Sequence, residues 1–372
     1  MPTAEQVLFI HTGGGIGDLL LSSPIAEAIV KSRPGTAVTA WVRPPYRGLL
    51  DGNPWFSDCL ALDRSSFGAQ LAAIRRRRFD AAILPWTTGR EAALAWLARV
   101  PIRVGQAGRV AYSWTFTHPV DVASARGDAS THWMDIQLGY ARALGCHTDA
   151  LRPVIHLADR DRTEARALLA RHGIARRSGA CGLHVGKGLR GGPTPDRWPV
   201  GRFIDVGRRL ARARRPVVLI GSDAERLLAG QVADGIGSNA VALSGGTARE
   251  LAALVAEMSV VICPDSGPGH IASALGVPVV AIFAVRSDVV ARWRPRIEHH
   301  RVVTTAPWVC PKKRCVKERC ERFDCMEAFD ADEVACAALD LAGDYERRTA
   351  GGDRPVDTPI GPTRDRGLEA GS

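Results

Sequence analysis

One run, Val260 through Phe283, restricts the architecture of this chain more than any other. VVIC at 260–263 has the apolar, β-branched character of a buried strand. A tight turn holding Gly267, Pro268 and Gly269 follows, then a short apolar helix ending near Gly276, and PVVAIF supplies the next strand. Strand, turn, helix and strand in that order make a βαβ unit, whose parallel strands need cover on both faces. Where the turn enters the helix, unpaired N–H groups and the positive end of the helix dipole create an anion site. Asp265, Ser266 and His270 bring polar groups to the same corner. A nucleotide diphosphate suits that corner; an ordinary capped βαβ turn is the simpler alternative.

The same alternation runs through most of the chain. The first half reads as strands at 7–12, 37–42 and 80–86 between helices at 19–32, 68–78, 91–100 and 132–145. A second series opens with a helix at about 161–172, where Asp161 and Glu164 have capping-box spacing and Gly173 stands at the C-terminal glycine position. Strands at 180–186 and 216–221 follow, with helices at 203–213 and 224–236. Thr247 and Glu250 form another capping box ahead of LAALVAEM. The expected fold class is α/β, with two Rossmann-like domains facing each other across a cleft. Residues 1–175 make the first domain and 176–345 the second, joined near 150–178. From Glu346 to Ser372 the chain is rich in Gly, Pro, Asp and Arg with few apolar residues, which predicts a disordered tail.

Composition narrows the partners. A chain of 372 residues, 46% hydrophobic, is long enough for two ordinary domains. No segment approaches the roughly 18 consecutive apolar residues of a membrane span. The opening MPTAEQVLFIHTGGG shows neither a basic leader nor a cleavage site, so a cytoplasmic location is expected. The net charge of +10 is carried mostly by arginine, clustered at Arg75–Arg78, Arg208–Arg215 and Lys312–Arg322. Phosphorylated sugars and anionic lipid both suit such a surface, as does a genome-wide bias toward arginine. The chain lacks zinc-finger spacing and an aromatic RNA-binding strand, so nucleic acid is not an expected partner. Cys310, Cys315, Cys320 and Cys325 recur every five residues. They are a candidate structural Zn or Fe site, with reduced, uncoordinated thiols as the alternative.

Several loops at strand ends carry the groups that chemistry would need. HTGGGIGDLLLSSP follows the first strand and places Asp18 at the mouth of a helix, either as a general base facing the cleft or as a helix cap. It matches G-x-G-x-x-G poorly, and the second strand ends at Arg43 without the acidic residue that a dinucleotide ribose wants. In the second half, Lys187, Arg190 and Arg197 lie in a glycine-rich loop able to neutralise a pyrophosphate leaving group without a metal. Glu225 in GSDAE is placed to accept ribose hydroxyls. LSGGT, with Leu243 and Gly245, could hold a base between backbone groups.

Taken with their spacing, these landmarks resemble glycosyltransferase family 9, the ADP-heptose:lipopolysaccharide heptosyltransferase family. They comprise Gly15, Gly17, Asp18 and Pro24, then Asn53-Pro54, RVG at 103–105 and His132. HVG…RWP at 184–199, G-S-x-x-E and D-S-G-P-x-H-x-A complete the series, so the resemblance covers roughly residues 5–340. It implies a GT-B fold and an inverting, metal-independent transfer that needs no cofactor. Asp18 would be the base, and the N-terminal half, with Gly15, Gly17 and His132, would take the acceptor. Lys187, Arg190, Glu225, Leu243, Gly245, Asp265, Ser266, Gly267 and His270 would hold an ADP-sugar. The acceptor would be a lipopolysaccharide core, another surface polysaccharide or a protein, and the basic charge adds peripheral contact at an anionic inner membrane as an expectation. The family's Lys two residues before the Trp of R-W-P is Asp196 here, which leaves open a catalytically impaired nucleotide-sugar-binding protein. A nicotinamide-dependent oxidoreductase using the first glycine loop is the third reading.

Overall fold

A computed structural model describes residues 6–61, 66–122, 130–149, 151–186, 198–283, 287–305, 309 and 324–350. Two six-stranded parallel sheets form, one from each half of the chain. The first contains β1 (Gln6–His11), β2 (Ala37–Val42), β3 (Asp58–Ala61), β4 (Ala81–Trp86), β5 (Ile102–Gln106) and β6 (His118–Val120), in the order β3-β2-β1-β4-β5-β6. The second contains β7 (Cys181–His184), β8 (Val217–Ile220), β9 (Ala240–Ala242), β10 (Val260–Pro264), β11 (Val279–Phe283) and β12 (His300–Thr304), in the order β12-β11-β10-β7-β8-β9. Central strands such as β7, β8, β10 and β11 are buried along their whole length, as parallel strands covered by helices on both faces must be.

The strand order fixes where ligands can bind. In the first sheet the connections turn in opposite directions between β1 and β4, and in the second between β7 and β10. A crevice opens at the carboxyl ends of the strands at each reversal. The two crevices carry the first glycine loop with Asp18, and the D-S-G-P-x-H turn.

Local structure departs from expectation in a few places. The helix expected over 19–32 is two helices, Ile16–Ser22 and Pro24–Ser32, because Pro24 has no N–H to continue the ladder and suits the first turn of the second. The segment 132–145 likewise splits, into Trp133–Gln137 and Gly139–Arg142. Asp161 is the third residue of the helix Asp159–Arg171, and its Oδ2 accepts the Ala158 N–H at 2.8 Å. The Thr247–Glu250 capping box forms as expected. The last helix runs from Ala331 to Ala350, past the point where composition predicts a tail. Glu346 lies within it, pairing with Arg215 and accepting the Ser259 hydroxyl at 3.1 Å; residues 351–372 lie outside the described residues.

The halves are joined by directed contacts. Arg249 reaches Asp161 at 2.6 Å and donates to the Gly48 and Asp51 carbonyls at 2.8 and 3.1 Å. Arg296 meets both carboxylate oxygens of Asp135 at 3.0 and 3.1 Å. Leu20 and Leu49 from the first half enter the core cluster that holds Ala165, Leu169 and Ile271.

Candidate active site

The first crevice is built from the loop after β1. Thr12 and Gly13 donate their N–H groups to the Trp86 carbonyl, which ties the loop to the end of β4. Gly14 takes the left-handed φ of +66° that turns the chain into the helix Ile16–Ser22. The Asp18 carboxylate reaches back, and its Oδ2 accepts the Gly15 N–H at 2.7 Å. Arg43, at the end of β2, donates to the Gly14 carbonyl at 3.3 Å. The glycines serve close packing: a Cβ at position 13 would fall inside the Trp86 ring, and one at 17 would lie 2.5 Å from His270 Cδ2. The Asp18 carboxylate occupies the Gly15 N–H at the start of this helix, where a dinucleotide pyrophosphate would need open donors.

The second crevice lies between the ends of β7 and β10. The helix Gly267–Ala274 starts with Pro268 in its first turn, and its N-cap residue Ser266 makes no side-chain cap bond. Ser266 stands at the cap position but turns away, donating to the Pro264 carbonyl at 2.9 Å and facing His184 Nδ1 at 3.1 Å. The other ring nitrogen of His184 lies 3.4 Å from Glu225 Oε1. Glu225 Oε2 accepts the backbone N–H and hydroxyl of Ser222 at 2.7 and 2.9 Å. Burial works to raise the Glu225 pKa, but the hydrogen bonds and charge interactions with His184 and Ser222 prevail and hold it at about 2. Half-buried Ser266 and the buried His184 and Glu225 therefore form one row spanning the β10, β7 and β8 ends. Beside it, Gly245 donates its N–H to the Gly221 carbonyl at 2.9 Å with a φ of +116°, and Leu243 packs on the second-half core.

The crevices face each other and touch. The buried His270 ring lies over Gly17, and a Cβ at Gly267 would come 3.2 Å from Ile16 Cβ. Burial, helped by nearby His132, pushes the His270 imidazole down to about 4, so it is neutral at ordinary pH. An aromatic row crosses the junction: Trp133 packs on Trp293 with centroids 5.1 Å apart, and on Trp86 at 5.7 Å. His132 caps the Trp133–Gln137 helix by accepting the Met134 N–H at 3.1 Å, while its Nε2 lies 3.0 Å from the Arg294 carbonyl. Both ring nitrogens of His132 are engaged by backbone, and through them His132 joins the two halves at the edge of the crevice.

The structure thus brings Gly15, Gly17 and Asp18 to one crevice and Glu225, Leu243, Gly245, Asp265, Ser266, Gly267 and His270 to the other. Lys187, Arg190, Asp196 and Arg197 lie outside the described residues, as do Cys310, Cys315 and Cys320. Cys325 is partly buried against the second-half core. Among the described residues, no group of His, Cys, Asp and Glu side chains is arranged to hold a metal ion. Sequence reasoning did not single out His184, Arg43 or the Trp133–Trp293 pair. His184 sits in the HVG landmark at a strand end, which was the available signal; the other contacts join residues far apart in the chain.

Comparison with known proteins agrees with this geometry. The family model described as "Glycosyltransferase family 9 (heptosyltransferase)" matches residues 69–321, more than half of the chain. No curated protein sequence matched. Among solved structures, a family 9 glycosyl transferase from Veillonella parvula DSM 2008 superposes with a TM-score of 0.78 at 19% identity, covering 91% of this chain and 98% of that one. The E. coli ADP-heptose lps heptosyltransferase II gives 0.75 at 17% identity, covering 92% and 99%. E. coli heptosyltransferase WaaC with ADP gives 0.66 at 16% identity, covering 90% and 99%. Two parallel six-stranded sheets with their crevices opposed are the GT-B arrangement of these structures, and the chain belongs to glycosyltransferase family 9, the heptosyltransferases.

Proposed function

We propose that this glycosyltransferase moves a heptose, or a closely related sugar, from an ADP-sugar to a hydroxyl of a phosphorylated bacterial surface glycan, such as a lipopolysaccharide core, with inversion at the anomeric carbon. The carrying observation is the opposition of two crevices: a helix N-terminus flanked by Asp265 and Ser266 on one side, and a carboxylate on a glycine loop on the other. The diphosphate takes the helix N-terminus. Glu225, held ionised, accepts the ribose hydroxyls, and the turn with Leu243 and Gly245 holds the base. As the acceptor oxygen bonds to the anomeric carbon, its proton passes to Asp18. The bond to the β-phosphate oxygen breaks on the opposite face, and ADP leaves with the pair of electrons. Gly15 and Gly17 let the acceptor-side loop pack close, Gly17 against His270, while His132 and the tryptophan row hold the halves in register.

Lys187 or Arg190 supplies the cation that the family's usual lysine provides, since that position is Asp196 here. Changing both to Ala should therefore lower turnover on the order of a hundredfold, and Asp196→Lys should leave activity intact or raise it. Retained ADP binding without turnover would favour the impaired-binder reading, for which Asp196 is the motivating observation. The transfer itself requires no metal in this account. For the four cysteines, elemental analysis of protein purified without a metal column separates a bound Zn or Fe ion from free thiols. Among the described residues no helix is long and apolar enough to cross a membrane, and we place the protein in the cytoplasm, where nucleotide sugars are available.

A thermal-shift panel of ADP, ADP-heptose, UDP-sugars and NAD tests the reading, because a ligand that binds only the folded state raises the midpoint. Stabilisation by ADP and ADP-heptose, then ADP release on adding heptose-free core oligosaccharide, is the expected result. Stabilisation by NAD alone would overturn it.

A further inference from the structure

Among the described residues, four of the six exposed large apolar side chains lie at 96–97 and 110–114 of the N-terminal half; Trp86 stands at the crevice and Leu227 on the second half. Trp96 and Trp114 are 42% and 66% exposed and meet edge to face at 5.3 Å; Leu97 and Val110 beside them are 36% and 98% exposed. The Trp114 N–H is already satisfied by the Ala111 carbonyl, so what it offers outward is its ring. A soluble monomer rarely leaves such a group uncovered without a use.

The charge around the patch is of one sign. Residues 66–120 contain eight arginines against two carboxylates, Asp80 and Glu91. Asp80 is half-exposed, Glu91 is buried beneath Thr88, and Arg77 pairs with Asp58 at 2.7 Å, so arginine stays in clear excess. Arg75 and Arg76 end the helix Phe67–Arg77 and are exposed, and Arg75 donates to the Leu97 carbonyl at 3.0 Å. Arg109 is exposed on the loop that carries Val110 and Trp114. Indole rings and aliphatic tips ringed by arginine match the boundary of an anionic bilayer, where aromatic rings sit at headgroup depth and cations meet phosphate. The patch also lies beside the crevice: Tyr112, in the same loop, donates to the Thr87 carbonyl at 3.2 Å, in the turn after β4.

We propose that this face, centred on Trp96 and Trp114, docks on an anionic lipid surface and sets the mouth of the cleft at headgroup level. The proposal does not depend on which sugar is transferred. The occupant is lipid rather than a second copy because the patch repeats one sign of charge, so two copies meeting face to face would oppose their arginines.

Co-sedimentation of the full chain with sucrose-loaded vesicles tests it. The protein should bind phosphatidylglycerol–phosphatidylcholine vesicles, bind pure phosphatidylcholine far less, and lose affinity as salt is added. The double variant Trp96→Ser/Trp114→Ser should lose about tenfold or more in partitioning. Its thermal midpoint, ADP affinity and turnover of a soluble oligosaccharide should not change. Arg75→Gln and Arg76→Gln should each cost about fivefold at low salt. Three results would overturn the proposal: no binding of the parent chain to phosphatidylglycerol vesicles, unchanged binding of the tryptophan variant, or a parent dimer that the tryptophan variant converts to monomer. The last would assign the face to protein association. Failure of the heptose assay with vesicle binding intact would count against the transferase reading alone.

Discussion

Gly17→Ala, made with and without His270→Ala, probes the contact on which the cleft geometry depends. Position 17 lies in the first turn of the helix Ile16–Ser22, where alanine alone would favour the helix by up to roughly 1 kcal/mol. The added methyl, however, would lie 2.5 Å from Cδ2 and 3.0 Å from Nε2 of the His270 ring. That ring is buried and backed by Trp293 at 6.5 Å, so it has little room to withdraw. Forced overpacking of this kind costs about 1–3 kcal/mol. Gly17→Ala should therefore lower the urea midpoint in the parent and leave it unchanged or raise it in the His270→Ala background. The coupling energy should be on the order of 1–3 kcal/mol. Because the methyl pushes apart the two loops that carry Asp18 and Ser266, turnover should fall more steeply than stability. If the two substitutions add, with no change of sign, the halves do not meet at this point in solution and the cleft is set by other contacts.

Three further outcomes are expected. His184→Gln should weaken ADP more than it weakens 2′-deoxy-ADP, because Glu225 loses its partner at 3.4 Å; equal losses for both ligands in titration calorimetry would make His184 a packing residue only. His270→Ala and Asp265→Ala should weaken ADP binding, and unchanged affinity in both would move the nucleotide elsewhere. Acid should loosen the junction. Burial depresses His11, His132 and His270 to about 4, against an ordinary value of 6.5. The unfolded chain then binds more protons between those values, so their stabilisation is complete above about pH 6.5 and is lost as pH falls toward about 4. The slope is at most about 4 kcal/mol per pH unit for three independent rings. A unfolding free energy that stays flat over that window would show the rings already solvated.

The sheet cores and both glycine turns were legible because their apolar runs are local. AVTAWV reads as a strand by itself and is one, over Ala37–Val42. The short strands β3, β5, β6, β9 and β12 carry weaker signals: IRVGQ mixes polar residues into its run, and AVA at 240–242 is three residues long. Their identity comes from the ladder beside them. Asp161 shows a different limit. Its spacing to Glu164 suggested a cap, but the helix begins earlier, and its carboxylate serves both the Ala158 N–H and Arg249, 88 residues away. His132 is placed by a carbonyl 162 residues later in the chain. Periodicity does not encode a pairing at that separation, so the site's residues could be named from the sequence while the contacts that join its two sides could not. The same holds at the C-terminus, where a polar composition concealed a helix anchored through Glu346.

Turnover of ADP-heptose by Asp18→Asn, measured as ADP release beside ADP affinity, bears most directly on the central claim. Asparagine can still accept the Gly15 N–H that Asp18 Oδ2 accepts at 2.7 Å, so the loop and the helix start are retained. What it cannot do is take the acceptor's proton. The account predicts a turnover number lower by about 10²–10⁴-fold with the ADP dissociation constant unchanged. A variant that keeps more than about half of the parent turnover would leave Asp18 as a helix cap alone and remove the base from the proposed mechanism.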